Sequence, residues 1–185
     1  MTAAGCCASA DRHFTADRAR TELRRYRRRG PTGSARRILR MLSESQVRAE
    51  TLLDIGAGIG VLHHELLALG GRSAVHLAEQ LAPADLVTLD RVICCYPAAE
   101  ALVRTTAAKA RRYWAASFPR DRWITRGHTR WENARRARAE NPFRTFVHLI
   151  PGIYALLQAG DLVPQRIHRG LFWEIVLCSR TRPQP

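Results

Sequence analysis

The stretch Leu52-Leu53-Asp54-Ile55-Gly56-Ala57-Gly58-Ile59-Gly60 constrains the chain more than any other. The run Thr51 to Ile55 is apolar enough to be a short buried strand, and it ends in a turn with glycine at every second position. Val61, Leu62, Glu65, Leu66 and Leu69 then follow at helical spacing, with one face for burial. Strand, glycine turn and helix in immediate succession create a backbone cradle at a helix N-terminus. There unpaired N–H groups can meet a nucleotide-like ligand. Glycine permits positive φ in the tight turn and lets a ligand approach without a Cβ in its way.

The spacing narrows the class. The glycines make G-x-G-x-G, whereas the dinucleotide fingerprint would require glycine at position 61, where the chain has Val61. Asp54 stands two residues before the first glycine. The resulting D-x-G-x-G-x-G resembles the first motif of class I S-adenosylmethionine (SAM)-dependent methyltransferases. In that family the loop backbone holds the methionine portion of SAM, so the resemblance implies Asp54, Gly56, Ala57, Gly58 and Gly60 as cofactor-binding residues. The segment DLVTLDRVICCYP, Asp85 to Pro97, resembles the family's fourth-strand motif, whose following residues line the transfer site. This adds Asp90 and Arg91 to the cofactor set. RRYRRRGPTGSARRILRML, Arg24 to Leu42, resembles the N-terminal helical cover of small bacterial members. The implied fold is α/β: a Rossmann-like class I methyltransferase sheet with a helical cover and a C-terminal antiparallel hairpin.

Element by element, residues 1–14 read as an arm. A helix is expected over Thr15 to Arg29, stopped by Gly30-Pro31. A second carries Ile38, Leu39, Met41 and Leu42, with Thr32 or Ser34 as its cap. After the glycine turn and its helix, strands are expected at Asp85–Leu89 and Tyr113–Phe118, separated by a helix over Ala98–Ala110 that Pro97 opens. Thr51–Ile55, Leu86–Leu89 and Tyr113–Ser117 should be adjacent and parallel. Residues 122–140 read as a polar helix within a lid spanning 121–150, with Phe143 to His148 as a short extended piece. Pro151–Leu157 is expected to be a helix capped by Gly160. Leu162–His168 and Leu171–Cys178 should form a hairpin around Arg169-Gly170. Residues 15–179 make a single domain with 15–48 as cover, and Arg180 to Pro185 is expected to be a disordered tail.

One region departs from the family pattern. Between the first helix of the sheet and the fourth strand, a complete fold has strand, helix, strand and helix. Here only Arg72 to Ala84 is available, 13 residues. A single crossover takes about a dozen residues for its connection alone, so about forty residues are missing by the usual dimensions of such folds. Ala74–Ala78 could be a shortened strand ending at Glu79, where the family has a ribose-binding acid. The alternative is a helix over Ala74–Ala82, favoured by its Ala, Leu, Glu and Gln content, in which Glu79 is solvated. A sheet shortened in this way exposes an edge through which the chain could associate.

Composition limits the remaining classes. With 185 residues and 46% hydrophobic content, the chain is long and apolar enough for one packed domain. No apolar run reaches the ~18 residues of a membrane span, and Met1 to Phe14 has no secretory pattern, so no membrane partner is expected and a cytoplasmic location is the default. The formal charge of +14 comes from 30 basic residues of which only Lys109 is lysine. Arginines scattered over several segments argue for compositional bias more than for a nucleic-acid interface. The densest group, Arg24 to Arg29, nevertheless supports an alternative: a truncated, non-catalytic relative that binds nucleic-acid phosphates. Cys6-Cys7 and Cys94-Cys95 lack the spacing of zinc sites, and His63-His64 suggests no metal either. Cys94 and Cys95 read as small residues near the ligand cleft, and Cys178 as core. The resemblance implies methyl transfer from SAM to a small-molecule acceptor, with Tyr96, His148 and Asp90 as candidates for a base.

Overall fold

A computed structural model describes residues 13–68 and 82–182 of the chain. Among them five strands form one sheet in the order β1-β2-β3-β5-β4. The strands are β1 (Leu52–Asp54), β2 (Ala84–Asp90), β3 (Ala110–Pro119), β4 (Leu162–Arg169) and β5 (Trp173–Arg180). β1, β2 and β3 are parallel neighbours, with Leu53 beside Val87 and Val87 beside Trp114. β5 runs antiparallel to both β3 and β4. Three parallel strands closed by an antiparallel hairpin are thus observed as expected.

Alternation along each strand divides the interior into two layers. Leu53, Val87, Leu89, Trp114, Ala116, Phe118 and Val176 enter one core, lined by α4 (Ala99–Lys109) and α6 (Ile150–Ala159). Leu52, Leu86, Ala115, Ile175 and Leu177 enter the other, under α2 (Gly33–Glu44) and α3 (Val61–Ala68). Because both faces are covered, the strands can be apolar almost throughout.

The helix starts follow side-chain chemistry. Thr15 caps α1 (Ala16–Arg29), and Gly30 ends it at φ 68°, its N–H donating to the Tyr26 carbonyl. Thr32, the first of the two expected caps, accepts from the Ala35 N–H and starts α2, which buries Ala35, Ile38, Met41 and Leu42. α1 buries no residue completely; Leu23 and Tyr26 are half-buried, while Ala16 and Ala19 are exposed.

Several boundaries differ from expectation. β3 begins at Ala110, directly after α4, because Ala110 is buried and pairs with Ala84. The hairpin turn is wider: β5 starts at Trp173, and Leu171 is exposed. Phe143–His148 joins no ladder. α5 (Trp123–Arg138) ties it down instead, with Asn133 exchanging bonds with the Thr145 backbone. Arg180 corrects the disordered-tail expectation. It is the last residue of β5, is buried, and donates to the carbonyls of Ala107, Ala110 and Gly160 at 2.7, 2.9 and 2.6 Å. The arm up to residue 12, the 69–81 segment with Glu79 and the choice between strand and helix for it, and residues 183–185 lie outside the described residues. Among the described residues β1 pairs on one side only, with β2.

Candidate functional site

The carboxyl ends of β1, β2 and β3 lie side by side, and in an open parallel sheet this is where ligands bind. Asp54 is the last residue of β1 and is buried. Its Oδ1 accepts from the Thr88 hydroxyl at 2.6 Å, and the Ile55 N–H donates to the Thr88 carbonyl. Burial pushes the Asp54 carboxyl up to about 6. The Thr88 bond pulls the other way, and the nearby Asp90 carboxylate adds to the rise.

The loop that follows places Gly56, Gly58 and Gly60 all at positive φ, 63°, 58° and 73°. Their surroundings differ. A Cβ on Gly56 would stand 2.7 Å from Val92 Cγ2, whereas one on Gly58 or Gly60 would meet no atom of the described residues within 4 Å. Gly56 is therefore required by packing against the end of β2. Among the described residues Gly58 and Gly60 face open space, which leaves their backbone accessible.

At the end of β2, Asp90 accepts from the Ser117 hydroxyl at 2.6 Å and from Thr32, the cap of α2, at 3.5 Å. The Ser117 oxygen in turn accepts from the Arg91 N–H. Asp90 thereby joins β2, β3 and the start of α2. Its oxygens are engaged, which makes it a positioning group and a weak base candidate. Arg91 adopts φ 63° and lays its guanidinium over Trp173 at 5.0 Å.

The same end of the sheet continues at the short 3-10 turn Ile93–Cys95. The Phe146 N–H donates to the Cys94 carbonyl, which draws the segment after α5 onto this turn. His148 is half-buried and its Nε2 has no hydrogen-bond partner among the described residues. Burial holds its imidazole below the ordinary value, with the backbone of Ile93 and Tyr96 and the Glu100 charge partly opposing. Tyr96 is 37% exposed at the rim. The structure thus gathers Asp54, Gly56, Ala57, Gly58, Gly60, Asp90, Arg91, Tyr96 and His148 at one end of the sheet.

α1 bridges this end. The Tyr26 hydroxyl bonds Glu65 at 2.6 Å and His64 Nδ1 at 2.9 Å on α3. Just before the helix, His13 stacks on Phe143 with ring centroids 4.1 Å apart, and Phe14 meets the same ring edge-on. Sequence reasoning missed Thr88, Ser117, Thr32, Tyr26 and Phe143 as partners of the site. A threonine or serine within an apolar strand was the only available sign, and it named no partner. Among the described residues no group of three or more His, Cys, Asp or Glu side chains could hold a metal. Nor is any helix among them long and apolar enough to cross a membrane.

No family model matches the chain, and no curated protein matches it. Solved structures do. The magnesium protoporphyrin IX methyltransferase of Synechocystis PCC 6803, crystallised with S-adenosylhomocysteine (SAH), is 18% identical over 78% of this chain and 80% of that one, with a TM-score of 0.56. A SAM-dependent methyltransferase of Thermotoga maritima is 12% identical over 91% of this chain and 99% of that one, with a TM-score of 0.58. An O-methyltransferase family protein of Burkholderia thailandensis is 14% identical, with 82% of this chain and 58% of that one covered and a TM-score of 0.59. At these identities the likeness is one of fold: the chain has the Rossmann-like fold of class I methyltransferases.

Proposed function

We propose that this chain binds SAM and transfers its methyl group to a small-molecule acceptor. The observation that carries this reading is the loop of Gly56, Gly58 and Gly60 at positive φ, open above Gly58 and Gly60, beside a buried carboxylate and within this fold. Asp54, Gly56, Ala57, Gly58, Gly60, Asp90 and Arg91 are the residues that would hold the cofactor. The fit is chemical as well as spatial. Asp54 is a costly buried acid that gains from a cationic partner, and the loop is free of side-chain obstruction at its second and third glycines. When bound, SAM supplies a methyl group already activated on a sulfonium.

The chain's own part is orientation and exclusion of water. The Asp90–Ser117–Thr32 network fixes the end of β2 against the cover. α1 and the 141–149 segment stand over the opening, and we assign residues 15–48 and 121–150 to the roles of cover and lid. His148, with its imidazole kept neutral by burial, is the best placed proton acceptor, and Tyr96 stands at the rim. SAM-bound and SAH-bound neighbours and the small-molecule acceptors named for several of them support this reading over the arginine-rich binding module. Calorimetry with SAH is the direct test. Saturable binding to the full chain is expected; salt-dependent binding of an RNA oligonucleotide with no heat from SAH would instead establish the alternative.

A further inference from the structure

The inner face of α5 holds the 141–149 segment, since Asn133 and Arg136 bond Thr145. Its outer face is left unused by the methyl-transfer reading. Trp123 is 79% exposed there and Trp131 57% exposed. Eight residues of helix set the two indoles about 12 Å apart along the axis. Gly127 lies midway, about one turn from each, and a Cβ on it would meet no atom of the described residues within 4 Å. Glycine destabilises a helix interior, and no packing among the described residues requires it here. The result is a notch between two exposed rings. From Trp131 the row of rings continues to His128 at 6.0 Å and from His128 to Phe172 at 5.6 Å, in the turn between β4 and β5.

The charge around this row has one sign. Arg122, Arg126, Arg130, Arg135 and Arg138 are exposed, and no acidic residue between positions 122 and 139 is. Asp121 pairs with Arg126, and Glu132 with Arg135 and Arg136. No ion pair among the described residues involves Arg122, Arg130 or Arg138.

We propose that the outer face of α5 binds single-stranded nucleic acid, with bases stacking on Trp123 and Trp131 to either side of the Gly127 notch and phosphates meeting the arginines between them. Indoles stack on any base, and guanidiniums pair with phosphate. Charge alone selects no surface in this chain, because arginines are spread along it. α1 carries more of them than α5, but its one aromatic ring, Tyr26, is bonded to Glu65 and His64. A second copy of the chain does not fit the face, since it would set arginines against arginines. A bilayer fits poorly as well. The exposed residues from 123 to 138 include no aliphatic side chain larger than alanine, and inserting the indoles would carry Arg126 and Arg130 toward the apolar layer. An acidic peptide offers carboxylates but no succession of flat rings.

The test is fluorescence anisotropy of the full chain with a labelled single-stranded RNA of mixed sequence, about twelve nucleotides long. It uses neither SAM nor acceptor, so it succeeds or fails separately from cofactor binding. Saturable binding is expected at low salt, and weaker binding of a duplex of equal length, whose bases are stacked inward. Trp123→Ala and Trp131→Ala should each lower affinity at least fivefold, with Trp123→Phe close to the parent. Arg130→Gln should reduce the slope of affinity against salt by about one. Gly127→Leu raises helix propensity and fills the notch, so it should raise Tm while weakening RNA binding, a combination that a purely structural role does not produce. Absence of saturable binding, equal affinity for the duplex, unchanged affinity in both tryptophan-to-alanine variants, or a larger loss on replacing Arg24, Arg27 and Arg28 by Gln would overturn the site. Tighter binding to polyglutamate of equal length or to phosphatidylserine vesicles than to the RNA would overturn it too, in favour of an acidic peptide or a membrane surface.

Discussion

At the scale of single residues, the glycine loop separates fold from ligand. Alanine at Gly56 must push against Val92 at 2.7 Å as well as bear the positive φ, while alanine at Gly58 bears the φ alone. A left-handed conformation costs a non-glycine residue about 1–2 kcal/mol. Gly58→Ala is therefore expected to lower stability by about that much and to weaken SAM binding at least tenfold, with Gly58→Val stronger in both respects. Gly56→Ala should cost more stability than Gly58→Ala. Urea unfolding and calorimetry on the two alanine variants check this, and unchanged SAM affinity in Gly58→Ala would remove the loop from the cofactor site. Asp54 sets a pH dependence. Its folded value of about 6 lies above the ordinary 3.8, so the folded chain holds the extra proton. Its contribution to stability is complete below pH ~4 and is lost as pH rises to ~6, a difference of about 3 kcal/mol. Asp54→Asn should thus unfold at a higher temperature than the parent at pH 7.5, with the gap closing near pH 4, while losing SAM affinity. An equal gap at both pH values would contradict the buried-carboxylate account.

Among the elements, the ends of α4 and α6 meet at one side chain. Arg180 donates to Ala107 in the last turn of α4, to Ala110 that follows it, and to Gly160, the cap of α6. Carbonyls at helix C-termini are unpaired and carry partial negative charge, so one guanidinium satisfies three acceptors and balances two helix ends. Arg180→Met removes the guanidinium from all three buried carbonyls and leaves Ala107 only the Ala110 N–H. A loss of about 3 kcal/mol is expected, read as a fall in Tm on the order of 10 °C by thermal unfolding. A fall of under ~2 °C would show that water replaces the guanidinium. The C-terminal sequence SRTRPQP looks like a tail, and nothing in it distinguishes Arg180 from Arg182. The difference lies in the ladder to β4, where Arg180 pairs with Leu162.

For the molecule as a whole, the short path from α3 to β2 decides how well a cofactor can be held. On the proposed reading the glycine loop, Asp54 and the Asp90 region would hold the methionine side of SAM, and the ribose and adenine contacts of a complete fold would come from strands that 13 residues cannot supply. Each lost hydrogen bond forfeits ~0.5–1.5 kcal/mol, and ~1.4 kcal/mol is tenfold in affinity. We expect SAM to bind at least a hundredfold more weakly than to the same chain given a strand–helix–strand segment of about forty residues after Arg72. Titration of both chains measures this directly. Micromolar or tighter binding by the present chain would mean that Glu79 or another group has replaced the lost contacts.

The parallel order of the first three strands, the two helices that precede them and the closing hairpin were legible in the sequence because they follow from local causes. Apolar runs bury themselves, glycine takes positive φ, Thr32 starts a helix and Gly160 ends one by their own chemistry. The three glycines and Asp54 were legible for the same reason, as one contiguous motif. The tertiary structure decided what depends on neighbours far apart in the chain. It chose Thr88 as the partner of Asp54, joined Thr32, Asp90 and Ser117 across two strands and a helix, and carried His148 to the turn at Cys94 through a coil with no periodicity to read. It also made Arg180 a structural cation rather than a solvated end. Hydrogen bonds between residues dozens of positions apart leave no spacing in the sequence, since only the packed sheet brings their donors and acceptors within reach.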